Sequence, residues 1–177
     1  MNNTKTIFKS LLIMIVAISL FAVSCSKDEG GTKTPTNPAK PITITGASIT
    51  DALKKIPDIT ISKTKISFNG IADAESTRTI TGTDGSSATD AISTKTDLET
   101  KIKEGLTISG ATVSATAGSE LNIAGQDNIT ITITITPTSG NSFSTTELDP
   151  YTKKADGNSV EVTLTLKPQQ GKKWDGQ

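Results

Sequence analysis

The chain has 177 residues, and its 18 Lys and Arg side chains balance 18 Asp and Glu side chains. This balance argues against nucleic acid as a partner, because proteins hold phosphate backbones through clustered Lys and Arg. There is no His and only one Cys, which excludes Ser-His-Asp and Cys-His catalysis, the usual zinc and copper sites, and any intrachain disulfide.

The first 24 residues have the organisation of a cleavable secretory signal peptide. Residues 1–10 carry Lys5 and Lys9 and no acidic residue, and residues 11–23 (LLIMIVAISLFAV) are almost entirely apolar. A transmembrane helix is the alternative interpretation. Thirteen residues at about 1.5 Å each span only about 20 Å, however, and a bilayer core is about 30 Å thick. The pattern therefore predicts export and removal of residues 1–24.

The apolar stretch ends in Ala22-Val23-Ser24-Cys25, which resembles the lipobox of bacterial lipoproteins. The motif departs from the commonest form at Ala22, where Leu is usual. The resemblance implies cleavage between Ser24 and Cys25, attachment of diacylglycerol to the Cys25 thiol, and acylation of the new amino group. Two or three acyl chains hold a protein stably on a membrane, whereas a single chain binds only marginally. An ordinary core cysteine is the alternative, but the next sixteen residues offer Cys25 almost nothing to pack against.

Residues 25–41 are predicted to be the lipidated Cys followed by a flexible tether. The sequence SKDEGGTKTPTNPAKP (26–41) contains two adjacent glycines and three prolines and cannot bury a core. Its start, SKDE, resembles the short acidic signal that directs some lipoproteins to the outer face of the outer membrane. A solvated linker start is the alternative. We therefore expect attachment to the outer membrane, with exposure at the cell surface or in the periplasm.

Residues 42–167 are predicted to form a β-rich domain that opens with a short strand and a short helix. Ile42 and Ile44 alternate with threonines, as in a β-strand. The helix is predicted over residues 48–56, with Ser48 as its capping-box-like start and Pro57 as its stop. Strands are then predicted over residues 58–62, 65–69 and 77–83.

A second helix is predicted over residues 97–104, with Thr96 as its N-cap, Glu99 at the box position and Gly105 as a left-handed C-terminal residue. Strands are predicted to follow at 106–109 and 111–116. The segments 48–69 and 96–116 thus share a pattern of one helix and two strands, which indicates a possible duplication. Chance similarity in a chain rich in Thr, Ser and Ile is the alternative.

The strongest strand signal is NITITITIT at 128–136, where every Ile points to one side and every Thr to the other. Its predicted partner is the strand 160–166, with Val160, Val162, Leu164 and Leu166 turned inward. Turns are predicted at 139–141 and 156–158. The predicted fold class is mainly β, with β-sandwich-like antiparallel sheets and two short helices. Packing of the α+β kind is the alternative.

The C-terminal sequence VEVTLTLKPQQGKKWDG is similar to variable surface lipoproteins of spirochaetes and wall-less bacteria. Repeats in those proteins often end with a strand, a glycine turn and Trp-Asp-Gly near the last strand. The present chain departs from them because no strand follows. Residues 168–177 are interpreted as a polar tail on which Trp174 either stacks on a ligand or plugs the end of the sheet. The resemblance implies surface display rather than a chemistry.

These features predict a non-enzymatic, membrane-anchored lipoprotein with a coat, adhesion or antigen function. A carbohydrate- or protein-binding accessory of an outer-membrane uptake system is the alternative. We expect no cofactor and no metal, because turn chemistry explains the acidic segments 84–90 and 156–161. Two catalytic carboxylates are conceivable, but no pair stands out. The expected partners are membrane lipid at Cys25 and a host, neighbouring-protein or glycan ligand, and the threonine row of 128–136 is interpreted as an ordinary solvent face rather than an ice-binding one.

Overall fold

The computed structural model describes residues 39–71, 76–86 and 88–177, of which Lys40–Gln177 form one compact unit. The predicted signal peptide, Cys25 and most of the tether therefore lie outside the described residues. Strands dominate the described part of the chain, which confirms the predicted mainly β class. The elements are β1 (Thr43–Ile44), α1 (Gly46–Lys54), β2 (Ile59–Ile61), β3 (Thr64–Ile66), β4 (Thr77–Thr81), β5 (Thr83–Asp84), α2 (Lys95–Gly105), β6 (Ala111–Ala117), β7 (Ile129–Pro137), β8 (Ser142–Phe143) and β9 (Val160–Lys167).

The main sheet has four strands in the order β4-β9-β7-β6. The predicted pairing of β7 with β9 is confirmed, and it is antiparallel, with Ile131 opposite Leu164 and Ile133 opposite Val162. β6 is also antiparallel to β7. β4 runs parallel to β9, which the prediction of antiparallel sheets missed. A parallel neighbour requires a long connection, and here the chain between residues 82 and 159 supplies it.

Two small sheets complete the β structure. β2, β3 and β5 form an antiparallel sheet in that order, and β1 pairs in parallel with β8. An ion pair joins Lys65 of β3 to Asp58, just before β2, with 2.8 Å between Nζ and Oδ2. The hydrogen bond from Lys65 lowers the pKa of Asp58 below its ordinary value. Both side chains are substantially exposed, so the pair contributes little to stability.

A single apolar core unites the sheets and both helices. The inward residues of β7 and β9 are buried as the alternation predicts, and Ile131, Ile133 and Leu164 have no exposed surface. α1 contributes Ile49 and Leu53 to the same cluster of contacting side chains, and α2 contributes Leu98 and Ile102. Burial of such side chains is the dominant favourable term in folding. No disulfide is possible with one Cys, so this core must hold the fold together.

Both helices begin earlier than predicted. Thr45, not Ser48, is the N-cap of α1, and its hydroxyl accepts from the Ser48 amide while the Ser48 hydroxyl completes the capping box. Thr94, not Thr96, is the N-cap of α2 and accepts from the Asp97 amide. Chains in which Ser, Thr and Asp recur every two or three residues offer several equivalent capping patterns. Tertiary contacts then select one of them.

The segment 106–109, predicted as a strand, has no strand structure. α2 is therefore followed by the single strand β6, so residues 48–69 and 96–116 do not share a helix-strand-strand structure. Gly105 does not take the predicted left-handed conformation. A Cβ there would lie 2.4 Å from Cδ of Pro57, so glycine is needed because the C-terminus of α2 approaches the end of α1 closely.

The alternation in β7 generates a matched pair of stability predictions. Ile133→Ala should lower the free energy of unfolding by about 2–5 kcal/mol, because it leaves a cavity in the core. Thr134→Ala, on the opposite face, should change it by less than about 1 kcal/mol. Urea denaturation followed by circular dichroism measures both values. Equal losses for the two variants would contradict the assignment of the faces.

The N-cap of α2 generates a second matched pair of stability predictions. Thr94→Ala should destabilise the protein by about 1 kcal/mol because the Asp97 amide loses its acceptor. Thr96→Ala should be neutral or slightly stabilising, since Thr96 is exposed in the first turn and Ala favours the helix. Thermal and chemical denaturation would distinguish them, and the opposite order of effects would support Thr96 as the cap.

Candidate functional site: the threonine face of the four-stranded sheet

The outward surface of the four-stranded sheet is lined by hydroxyl-bearing side chains, and we call it the threonine face. The inward alternation of β7, β9 and β4 leaves every second residue of these strands pointing away from the core. β6 follows the same alternation on its edge. The threonine face consists of Thr77, Thr79 and Thr81 on β4, Thr163 and Thr165 on β9, Thr130, Thr132, Thr134 and Thr136 on β7, and Thr112, Ser114 and Thr116 on β6.

Strand register aligns these side chains in rows that cross the sheet. One row contains a threonine from each of the four strands, namely Thr77, Thr163, Thr132 and Thr116. A second row joins Thr79, Thr165 and Thr130. Neighbours within a row are about 4.8 Å apart, and rows on one strand repeat about every 6.7 Å. The face is therefore a two-dimensional array of hydroxyl and methyl groups.

Charge is confined to the ends of β9 on this face. Glu161 lies opposite Thr134, and Lys167 lies opposite Thr81. The Glu161 carboxylate accepts from the Lys154 ammonium at 2.6 Å, and this hydrogen bond raises the pKa of Lys154 above its ordinary value. Glu161 is thus paired with an opposite charge. The centre of the threonine face is uncharged.

The threonine face presents hydroxyl and methyl groups that can contact another molecule. A threonine hydroxyl can donate and accept a hydrogen bond, and its methyl group can pack against apolar surface. Those of the central strands, such as Thr132 and Thr163, are half-buried because they have neighbours on both sides. Many weak contacts over a broad area are what this face offers.

Trp174, the residue singled out from the sequence as a ligand-stacking candidate, is only 1% exposed. Its indole Nε1 donates to the Asp127 carbonyl at 2.8 Å, and its backbone N–H bonds to Gly125 at 3.1 Å. The Trp174 carbonyl accepts from the Lys63 amide at 3.0 Å. These contacts match the plugging interpretation, and they leave no ring face for a ligand. The segment 168–177 is accordingly part of the domain and not a separate polar tail.

A buried polar cluster that was not foreseen lies on the inner side of the sheet. Arg78 of β4 is 7% exposed, and its Nη2 donates to the Tyr151 hydroxyl at 2.7 Å. That hydroxyl is also hydrogen-bonded to Oγ1 of Thr50 on α1 at 2.8 Å. The guanidinium lies 5.7 Å from the centroid of the Tyr151 ring. The cluster joins α1 to the edge strand β4. In the sequence, the alternation of Thr77, Arg78 and Thr79 is the signal that could have shown that the Arg78 side chain points toward the core.

The depressions lined by residues of the described part of the chain are open to solvent. One of about 430 Å³ lies above the buried cluster and is lined by residues that include Asp51, Lys54 and Asp149. The carboxylates of Asp84 and Asp156 accept hydrogen bonds from the backbone amides of Ser86 and Asn158, two residues later in the chain. Such bonds are typical of turns. Across residues 39–71, 76–86 and 88–177, no three His, Cys, Asp or Glu side chains come together in a way that could hold a metal ion.

No protein-family model matches this sequence, and neither the curated proteins nor the solved structures include a significant match. None of the helices in the described part of the chain has the length and apolar character needed to cross a membrane.

Trp174 is the sole tryptophan, so its environment can be measured directly. We expect blue-shifted emission and weak quenching by acrylamide, because the ring is enclosed. Trp174→Phe should cost about 1 kcal/mol of stability by removing the bond to Asp127, and Trp174→Ala about 3–5 kcal/mol by leaving a cavity. Emission typical of water-exposed indole in the folded protein would contradict the plug.

Proposed function

We propose that this chain is a lipid-anchored, exported bacterial protein whose β-rich domain works by surface contact, as a coat, adhesion or antigen protein. The proposal rests on the lipobox-like sequence ending at Cys25 and on the uncharged threonine face. The first supports a membrane address, and the second supports a contact role without chemistry. The threonine face is the observation that carries the functional part of the proposal.

In this proposal the anchor and the folded domain have separate physical roles. Acyl chains on Cys25 would supply membrane affinity, so the domain needs no apolar membrane-binding face. The sixteen residues 26–41 would reach about 20–25 Å on average, and at most about 55 Å when extended. That distance is enough to hold the domain clear of the lipid headgroups.

The start of the described domain, at Ile42, is bonded to one end of the main sheet. The Ile42 amide donates to Oδ1 of Asn141 at 2.8 Å, and the Ile42 carbonyl accepts from the Ser142 amide at 3.2 Å. These contacts lie where β7 has ended and β8 begins. The Trp174 plug contacts Asp127, just before β7 starts, and the nine residues of β7 separate the two ends by about 30 Å. The loops around Trp174 are thus at the far end of the sheet from Ile42.

The accessory role in an uptake system has less support. An exposed indole that stacks on a sugar ring would be one way to fill that role. The enclosed Trp174 cannot act in this way, and the other aromatic residues after Cys25, Phe68, Phe143 and Tyr151, are buried as well. The threonine face remains available to either kind of partner, but its hydroxyls favour no ligand class.

The anchor predicts lipid incorporation that depends on one thiol. Cells that express the full chain should incorporate radiolabelled palmitate into it, and Cys25→Ala should abolish the label and leave the unprocessed precursor. Ser24→Ala is the matched control, because it keeps a small residue before the cleavage site and should retain the label. Equal labelling of the wild type and Cys25→Ala would overturn the anchor.

Surface display predicts a defined pattern of release by protease. Trypsin added to intact cells should cut the tether after Lys27 or Lys33 and release a folded domain of nearly full length. A periplasmic protein should be degraded only after the outer membrane is opened. Complete protection in intact cells would place the domain inside the outer membrane and exclude a coat role.

A further inference from the structure

β6 forms one edge of the four-stranded sheet, and its register shows which of its amides face outward. The Gly118 amide donates to Thr130 at 2.8 Å, and the Thr138 amide donates to Gly110 at 2.9 Å. In this register, the even-numbered residues of β6 therefore exchange backbone hydrogen bonds with the residues opposite them on β7. The odd-numbered residues, Ala111, Val113, Ala115 and Ala117, turn their amides and carbonyls to the open side.

The two ends of this edge are closed by the protein itself. The Ala111 amide donates to the Ile108 carbonyl at 3.2 Å, and the Ala117 amide donates to Oε1 of Glu99 at 2.8 Å. Between them, the amides of Val113 and Ala115 have no hydrogen-bond acceptor within the described part of the chain. The open segment is therefore only three residues long.

α2 contacts β6, but the sequence of the open segment lacks the features that usually protect an edge strand. Natural edges carry Lys, Pro or a bulge, or are covered by other structure. β6 has the sequence ATVSATA and contains neither a charge nor a proline. Ser114 is exposed, and Val113 and Ala115 are only half-buried. Small, neutral side chains allow another strand to approach closely.

We propose that β6 pairs with β6 of a second copy of this chain, antiparallel and centred on Ser114. In this register Val113 lies opposite Ala115 of the second copy, and the reverse pair is equivalent. Each residue with a free amide then faces another residue with a free amide, so four hydrogen bonds form. Registers shifted by two residues also form four bonds, but each places a free amide opposite Ala111 or Ala117, whose amides are already bonded, so only the proposed register sets every free amide opposite another.

A second copy fits this edge better than an unrelated extended peptide. The free groups are self-complementary over three residues, as a two-fold contact requires. The tether of the same chain is a poor strand, because Pro35 and Pro38 lack amide donors. Pairing would place Thr112 opposite Thr116 of the second copy and join the two threonine faces across eight strands.

Such a short contact should be weak in dilute solution and stronger between tethered copies. Linking two partners to one surface raises their effective concentration without adding a contact. The decisive test therefore uses the full chain in the membranes of the cells that express it. Ser114→Cys places two thiols across a non-hydrogen-bonded antiparallel pair, where Cα atoms are about 4.5 Å apart and a disulfide can form.

Mild oxidation of these membranes should convert Ser114→Cys to a dimer on a non-reducing gel. Thr112→Cys and Thr134→Cys are matched controls on the same face. In the proposed register neither lies opposite itself, so each should give at least tenfold less dimer. Adding Val113→Pro to Ser114→Cys should abolish the dimer, because it removes a free amide and leaves the bonds to β7 intact. Circular dichroism checks that this variant folds.

Three outcomes would overturn the proposal. These are equal dimer yields at positions 112, 114 and 134, a Ser114→Cys adduct only with a different protein, and no adduct at all. The parent chain, which has only Cys25, is run beside them. A dimer in that lane would reveal a free thiol at Cys25, so failure of the lipid anchor is distinguishable from failure of the strand pairing.

Discussion

The alternation of isoleucine and threonine along β7 is the constraint on which the rest of the structure depends. Because successive side chains of a strand point to opposite sides, one sequence supplies the centre of the core and the centre of the threonine face. A shift of one residue in the pairing with β9 would exchange these two surfaces. The register that places Ile133 opposite Val162 therefore fixes both stability and surface chemistry.

The other elements serve this sheet by covering its apolar side. α1 and α2 are short, and each presents only a narrow buried stripe, such as Leu98 and Ile102 on α2. Without a disulfide, stability depends on the close packing of many β-branched and leucine side chains. The buried Arg78, Tyr151 and Thr50 cluster adds direction to this packing, because hydrogen bonds, unlike apolar contacts, define one arrangement of α1 against β4.

The periodicity of apolar residues in the sequence made much of this fold predictable. The predictions that were wrong share one cause. The strands 128–136 and 160–166, their pairing and their inward residues all followed from strict alternation. The caps of the helices, the absence of a strand at 106–109 and the parallel placement of β4 depend on tertiary contacts that leave no local pattern. Trp174 was ambiguous for the same reason, since its polar neighbours in sequence conceal its contacts with Gly125 and Lys63. The rows of the threonine face likewise required the registers of β4 and β6, which alternation alone does not set.

The position of Trp174 also bears on when the domain can fold. Its carbonyl accepts from Lys63, and its indole completes the end of the sheet next to Asp127. The strand pairs β1–β8 and β4–β9 likewise join parts of the chain that are far apart in sequence. Contacts of such long range form slowly, because the intervening loop must be closed first. A chain synthesised from its N-terminus cannot complete this core until residue 174 has emerged, so the end of the sheet next to Asp127 stays open during most of its synthesis.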